Sequence, residues 1–287
     1  MAKKSISDIT VVSFNAYGAP FHPRRIIRTF LRNKVRKRFR IIADFFENDD
    51  ADVIALQEVF TYPHLFLLKK LLPQYPYVIY QKFIYGPRGG LVLFSKIPLT
   101  RYSYIDFEKK GVWWNKSITG PLTRKGVLIA KLTDCPLYIL NTHLTQNSDH
   151  DWDTTNRYAS YLQNQLAQFV GIIRLLRGSM ASILVAGDFN LPHDSVYYKE
   201  FLEAAKLVDP FKKETFSTYH QSFLPEGEHL GRIDYIFTGS NGNLKVKKTD
   251  HIFTDKMLID GKLQYVSDHV GLKLRLSITQ NAYGPQN

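Results

Sequence analysis

Six short segments of the chain share one pattern: an apolar, strand-forming run meets an acid, an amide or an imidazole. They are Val12-Ser13-Phe14-Asn15, Ile54-Ala55-Leu56-Gln57-Glu58-Val59, Leu140-Asn141-Thr142-His143-Leu144, Val185-Ala186-Gly187-Asp188-Phe189-Asn190, Arg232-Ile233-Asp234-Tyr235-Ile236 and Ser267-Asp268-His269. Taken singly each has an ordinary explanation. Asn15 would cap a loop, Asp188 after Gly187 would cap a helix, and His143 would be a core histidine. Six in order ask for a fold that gathers strand ends, and the loops beyond them, at one place.

Further runs support such a fold. Ile9–Phe14, Val53–Leu56, Tyr77–Tyr80, Leu91–Phe94, Val127–Leu132, Leu137–Asn141, Ile183–Ala186, Ile233–Phe237 and Val270–Leu276 are short, apolar and bounded by turn residues, which predicts strands. Helical spacing is expected over Ile27, Leu31, Val35, Phe39, Ile42 and Phe46, over Tyr158 to Ile173, and over Tyr197 to Ala205. Strands of this number with helices between them predict two packed sheets flanked by helices. No repeat or low-complexity tract interrupts the chain, so one domain over residues 1–287 is expected. Thr238 to Asn243 reads as a loop between strands.

Composition narrows the setting. Apolar residues make up 44% of the 287, enough for a sizeable core. The single cysteine, Cys135, excludes a disulfide within the chain; it reads as a core residue of an apolar strand in a reducing compartment. With neither a signal-like N-terminal stretch nor a run of 18 apolar residues, the expectation is a soluble, cytoplasmic protein with peripheral membrane contact. A formal charge of +12 suits a polyanionic partner, either nucleic acid or an anionic membrane surface.

The six segments offer carboxylates, amides and two imidazoles, and no thiolate. Such a hard donor set favours Mg²⁺, with Mn²⁺ as the alternative ion, over zinc. The ordered series Asn, Gln-Glu, Thr-His, Gly-Asp-Phe-Asn, Arg-Ile-Asp-Tyr and Ser-Asp-His resembles the endonuclease/exonuclease/phosphatase superfamily from Asn15 to His269. The resemblance implies an α/β fold, a four-layer sandwich of two mixed β-sheets with flanking helices of the deoxyribonuclease-like kind. It implies hydrolysis of a phosphate ester by in-line attack of water.

Carried over position by position, it makes Glu58 the main metal ligand, with Asn15 and Asp268 beside the metal. His143 would bond a non-bridging phosphate oxygen. Asp188 would orient or deprotonate the attacking water, and Asn190 would position it. His269, held by Asp234, would act as general base or as a phosphate-binding imidazolium. The base is either Asp188 or His269.

Substrate class lies outside these segments. Asn15-Ala16-Tyr17-Gly18-Ala19-Pro20, Gly89-Gly90-Leu91-Val92-Leu93-Phe94-Ser95-Lys96-Ile97-Pro98, Lys125-Gly126-Val127 and the helix from Arg157 through Gln165 and Gln168 resemble the neutral sphingomyelinase branch. Tyr17 and Ala19 depart from that branch's opening pattern. The branch implies a lipid phosphodiesterase acting on phospholipid at a membrane surface. Cleavage of nucleic acid, hydrolysis of inositol or nucleotide monoesters, and a scaffold without activity are the alternatives, and oligomeric state stays open. Two features suit an anionic surface: the basic stretch Arg24, Arg25, Arg28, Arg32, Lys34, Arg36, Lys37, Arg38 and Arg40, and the Trp113-Trp114 pair. The same charges would also bind DNA phosphates.

Overall fold

The fold follows from strict alternation along the strands. In β1 (Asp8–Asn15), Ile9 and Val11 face one way and Val12 and Phe14 the other, and all four are buried. A strand buried on both faces needs a layer on each side. The computed structural model describes residues 8–18, 28–108, 124–147, 151–156, 158–178, 181–239 and 243–279, without the side chains of 28–32 and 101–102.

The elements after β1 are α1 (Arg28–Glu47), β2 (Val53–Gln57), α2 (Tyr62–Leu71), β3 (Tyr77–Ile79), β4 (Val92–Ser95), β5 (Leu99–Asp106), β6 (Gly126–Leu132), β7 (Leu137–His143), α3 (Ala159–Arg177) and β8 (Ser182–Asp188). There follow α4 (Val196–Ala205), β9 (Leu207–Val208), β10 (Asp234–Gly239), β11 (Leu244–Ile252), β12 (Met257–Ile259), β13 (Lys262–Gln264) and β14 (Gly271–Ile278). One sheet runs β11-β14-β1-β2-β4-β3, a second runs β5-β6-β7-β8-β10-β9, and β12-β13 is a separate hairpin.

Three apolar clusters fill the gaps between layers. Between the sheets, Val11, Val53 and Leu93 share a cluster with Leu128, Ile139, Leu184 and Ile236. On the outer face of the first sheet, Val12, Phe14 and Leu56 pack with Val35, Phe39, Ile42 and Phe46 of α1 and with Leu65 and Leu68 of α2. On the outer face of the second, Leu140, Val185 and Phe237 pack with Leu162, Leu166 and Phe169 of α3 and with Tyr197 and Phe201 of α4. The result is the expected four-layer sandwich of two mixed sheets.

All nine predicted strand runs overlap observed strands, and the helices predicted at α1, α3 and α4 are present. The structure adds α2, β5, β9, β11 and the β12–β13 hairpin. Helix α2 carries its own start signals: the Thr61 side chain accepts the His64 N–H, and Pro63 lies in the first turn. Cys135 is buried, but in the turn between β6 and β7 and not in a strand. Residues 240–242, within the predicted Thr238 to Asn243 loop, lie outside the described residues, as do Trp113, Trp114, Arg24, Arg25 and Arg157.

A polar bridge crosses the gap between the sheets. Gln57 at the end of β2 donates to Asn141 Oδ1 of β7 at 2.8 Å. The Asn141 amide donates in turn to the carbonyls of Leu56 (2.9 Å) and Val92 (3.2 Å) in the first sheet. Buried carbonyls that lose a donor cost free energy. Asn141→Ala is expected to lower unfolding free energy by about 1–3 kcal/mol, read as a lower urea midpoint.

Candidate functional site

Topology brings the six segments to one edge of the sandwich. In the first sheet β1 and β2 run parallel, so Asn15 and Glu58 leave the sheet at the same end. In the second, β7 and β8 are parallel with His143 opposite Asp188, and β10 is antiparallel with Asp234 opposite Asp188. Strand β14 is antiparallel to β1 and starts at Gly271, which sets Asp268 and His269 at that same edge. Reversing a strand's direction turns its N-terminal end toward its neighbour's C-terminal end. This is how residues about 250 positions apart come to meet.

Asp188 sits at the centre. Its Oδ2 accepts the Asn15 side-chain amide at 3.0 Å, and its Oδ1 accepts the Asn190 backbone N–H at 2.9 Å. His143 Nε2 lies 3.3 Å and His269 Nε2 3.7 Å from Asp188 Oδ2. His269 Nδ1 and Asp234 Oδ2 are 2.8 Å apart, a bond that fixes the ring. Thr218 Oγ1 accepts the backbone N–H groups of Ile233 and Asp234 and so anchors that strand start. Asp268 lies 3.9 Å from His269 Nε2, and Tyr219 OH donates to its other oxygen at 3.3 Å. Ser267 Oγ donates to the Asn15 carbonyl at 2.7 Å and accepts the His269 N–H, clasping β1 to the Ser-Asp-His turn. Asn190 donates through its amide to the Leu144 carbonyl.

Charge balance follows from burial and neighbours. Burial works against the charged form of His269, but Asp234, Asp188 and Asp268 outweigh it and hold the imidazole pKa well above its usual 6.5. Burial likewise works against ionised Asp188, yet His143, His269, Lys125 and the Asn15 bond keep its carboxyl below the ordinary range. Burial, with Asp268 adding repulsion, raises Glu58 to about 7. Burial raises Asp268 too, and burial raises Asp234 to about 6 against the pull of His269. His143 is pushed down to about 3 by burial and by the Lys125 charge, so it is neutral at physiological pH. Its Nδ1 is buried without a hydrogen-bond partner.

Around these groups stand residues that the six segments do not contain. Lys125 is buried, donates to the Leu144 carbonyl at 2.5 Å, and is lowered to about 8 by burial despite Asp188 and Glu58. Arg38 lies over the Tyr17 ring at 4.4 Å and feels the charges of Asp268 and Glu58. In the sequence Arg38 belongs to the basic stretch that suits an anionic surface. Val35 and Phe39, which bracket it on the buried face of α1, were the available signal that it differs from the exposed Lys34, Arg36 and Arg40. Arg232, which belongs to one segment, serves the scaffold instead: its guanidinium pairs with Asp209 at 2.7 Å.

The backbone is forced at three points of the rim. Tyr17, Glu58 and Asn190 have φ of 49°, 64° and 48°, the left-handed region that side chains avoid. Glycine makes room for Glu58: a Cβ on Gly18 would lie 2.1 Å from the Glu58 carbonyl oxygen and 2.8 Å from the Phe39 ring.

Because His143 is neutral when folded and titrates near 6.5 when unfolded, the unfolded chain takes up a proton that the folded chain refuses. Stability therefore falls as pH drops below 6.5 and toward 3. His143→Gln is expected to remove about 2 kcal/mol of the stability loss between about pH 7 and pH 5, measured as the difference between urea unfolding curves of the two proteins. An unchanged loss would mean a protonated His143 in the fold.

Comparison with known proteins identifies the family and the fold. The model of the Endonuclease/Exonuclease/phosphatase family matches residues 12–269. A Drosophila melanogaster protein named "Putative neutral sphingomyelinase" is 23% identical over 286 residues, covering 94% of this chain and 61% of its own length. The Saccharomyces cerevisiae inositol phosphosphingolipids phospholipase C is 28% identical over 179 residues, covering 58% of this chain and 35% of its own. The chain thus spans less than two thirds of either relative. Among solved structures, SmcL superimposes with a TM-score of 0.71 at 17% identity, over 94% of this chain and 99% of that one. D. rerio TDP2 with a single-strand DNA product superimposes with a TM-score of 0.65 at 18% identity, over 94% and 99%. These likenesses share the fold of two sheets between helices. By the family match, the chain belongs to the endonuclease/exonuclease/phosphatase family.

Proposed function

We propose that this chain is a Mg²⁺-dependent phosphodiesterase of the sphingomyelinase-like kind, hydrolysing a phospholipid headgroup ester. The observation that carries the chemistry is the buried array Asn15–Asp188–His269–Asp234, in which an ionised carboxylate and a protonated imidazole lie side by side. The lipid reading rests on the two curated relatives, both named for sphingolipid cleavage.

The residues present fit a hard divalent cation. Burial holds the carboxyls of Glu58 and Asp268 above their usual pKa, and a divalent cation would favour their ionised forms. Asp188, Asp234 and His269 also offer ligand atoms within 4.8 Å of one another. The 2.8 Å bond between His269 Nδ1 and Asp234 makes that trio a hydrogen-bonded relay. We assign Glu58, Asp268 and the Asn15 oxygen, which also accepts the Tyr17 N–H, to the metal. When bound, Mg²⁺ would neutralise charge on the phosphate and on the leaving oxygen.

The remaining roles belong to the chain. Asp188, kept ionised by its donors, aligns the attacking water, and Asn190 fixes the turn that presents it. As the water oxygen bonds to phosphorus and the ester P–O bond breaks, the water proton passes to Asp188. His269, kept protonated by three carboxylates, offers its Nε2–H to phosphate oxygen and to the departing oxygen. Asp234 holds that imidazolium in place. Neutral His143 supplies a further N–H beside Asp188.

Cleavage of nucleic acid is the second reading, supported by the TDP2 likeness and the +12 charge. A substrate panel decides between the two. Phosphorylated headgroup released from sphingolipid vesicles with Mg²⁺, and abolished by EDTA, is the expected result; nicking of supercoiled plasmid without lipid turnover would replace it. His269→Ala is expected to lower kcat roughly 10²-fold or more. Glu58→Ala is expected to weaken Mg²⁺ binding in calorimetry, with activity at best partly restored by excess Mg²⁺. Full activity of Glu58→Ala in EDTA would remove the metal assignment.

A further inference from the structure

Residues 59–105 form a run of 47 positions without one Asp or Glu, and the run holds Lys69, Lys70, Lys82, Arg88, Lys96 and Arg101. Among its described residues the most exposed apolar side chains are Ile84 (73%), Tyr85 (64%) and Phe66 (56%). They form one tip. Phe66 stacks on Tyr62 at 5.8 Å, the Tyr62 backbone N–H donates to the Tyr85 carbonyl, and its hydroxyl donates to the Phe83 carbonyl at 2.7 Å. The tip is closed by the Phe83 N–H on the Gly86 carbonyl and the Arg88 N–H on the Gln81 carbonyl. Its base rests on Phe60, two residues from Glu58: a Cβ on Gly86 would strike the Phe60 carbonyl, and one on Gly90 the Phe60 ring. A protruding apolar group held in this way costs solvation free energy with no return inside the fold.

We infer that Phe66, Ile84 and Tyr85 form a membrane-insertion tip that docks the active-site edge on an anionic lipid surface. The charges around the tip fit that partner. Lys69 and Lys70 lie one turn beyond Phe66 on the same face of α2, and both, like Lys82, are exposed. Asp106, the acid that ends the run, is occupied by Arg88. A polybasic rim around inserted apolar side chains combines the two attractions that hold a peripheral protein on an anionic leaflet. A nucleic acid would use the cations and the rings, but it has no use for the aliphatic Ile84, the most exposed of the three. The inference rests on the lipid reading of the site, since it places that site against the surface where such a substrate lies.

The test uses the full chain and vesicles of equimolar phosphatidylserine and phosphatidylcholine. Co-sedimentation of Ile84→Ser/Tyr85→Ser is expected to weaken at least about tenfold, as loss of two inserted apolar groups requires. Lys69→Gln/Lys70→Gln is expected to lose the preference for anionic over neutral vesicles and much of its salt sensitivity. Ile84→Cys can be labelled alone with an environment-sensitive dye, because the other thiol, Cys135, is buried. A blue shift on adding vesicles is expected. Vesicle binding unchanged in the serine variant, or no dye shift, would overturn the inference. So would a serine variant that binds vesicles normally but has lost single-stranded DNA. Hydrolysis of the soluble diester bis(p-nitrophenyl) phosphate, expected to be equal in all these variants, separates failed docking from failed chemistry.

Discussion

The hydrogen bond between Asn15 and Asp188 joins the two sheets of this molecule where its chemistry is done. Asn15 ends a strand of the first sheet, Asp188 ends a strand of the second, and the amide of one meets the carboxylate of the other at 3.0 Å. Both side chains are buried. A buried carboxylate is costly unless donors surround it, and here they come from both sheets: Asn15 from the first, His143 and Asn190 from the second. A slip of the sheets against each other would strip Asp188 of part of that set. The Gln57–Asn141 bridge, in the gap between the same two sheets, opposes the slip.

Charge at the site is then a matter of which groups have company. Asp188 has donors and stays ionised; burial raises Glu58 and Asp268; His269 has three carboxylates and stays protonated. Environments that push like groups apart are how one pocket assigns different tasks to identical side chains. The positive φ at Tyr17, Glu58 and Asn190 belongs to the same design, since strain of that kind persists only where surrounding packing enforces it.

The edge that carries the chemistry also carries the exposed apolar tip of residues 83–85 and the start of α2. Phe60 links the two: it follows Glu58 by two positions and packs against Gly86 and Gly90 at the base of the tip. Orientation at a surface and positioning of the main proposed metal ligand thus share one short piece of backbone.

Much of this was legible in the residues. Alternation and β-branched runs marked nine strands, because a strand buried on both faces is apolar throughout. The polar residues ending those strands marked the site, because uncharged turns would have had no need of so many acids and imidazoles. What the sequence left unmarked depends on neighbours distant in the chain. Strand β11 is lysine-rich and mostly exposed, and only its pairing with β14 makes it a strand. Arg38 and Lys125 read as two cations among thirty-eight until packing sets one over Tyr17 and buries the other beside Leu144. The sequence by itself determined which side chains could hold a metal and activate water, since that follows from their chemistry. Only the tertiary structure decided which imidazole is charged and which acid is shared, since a pKa is set by burial and by neighbours that a linear order does not reveal.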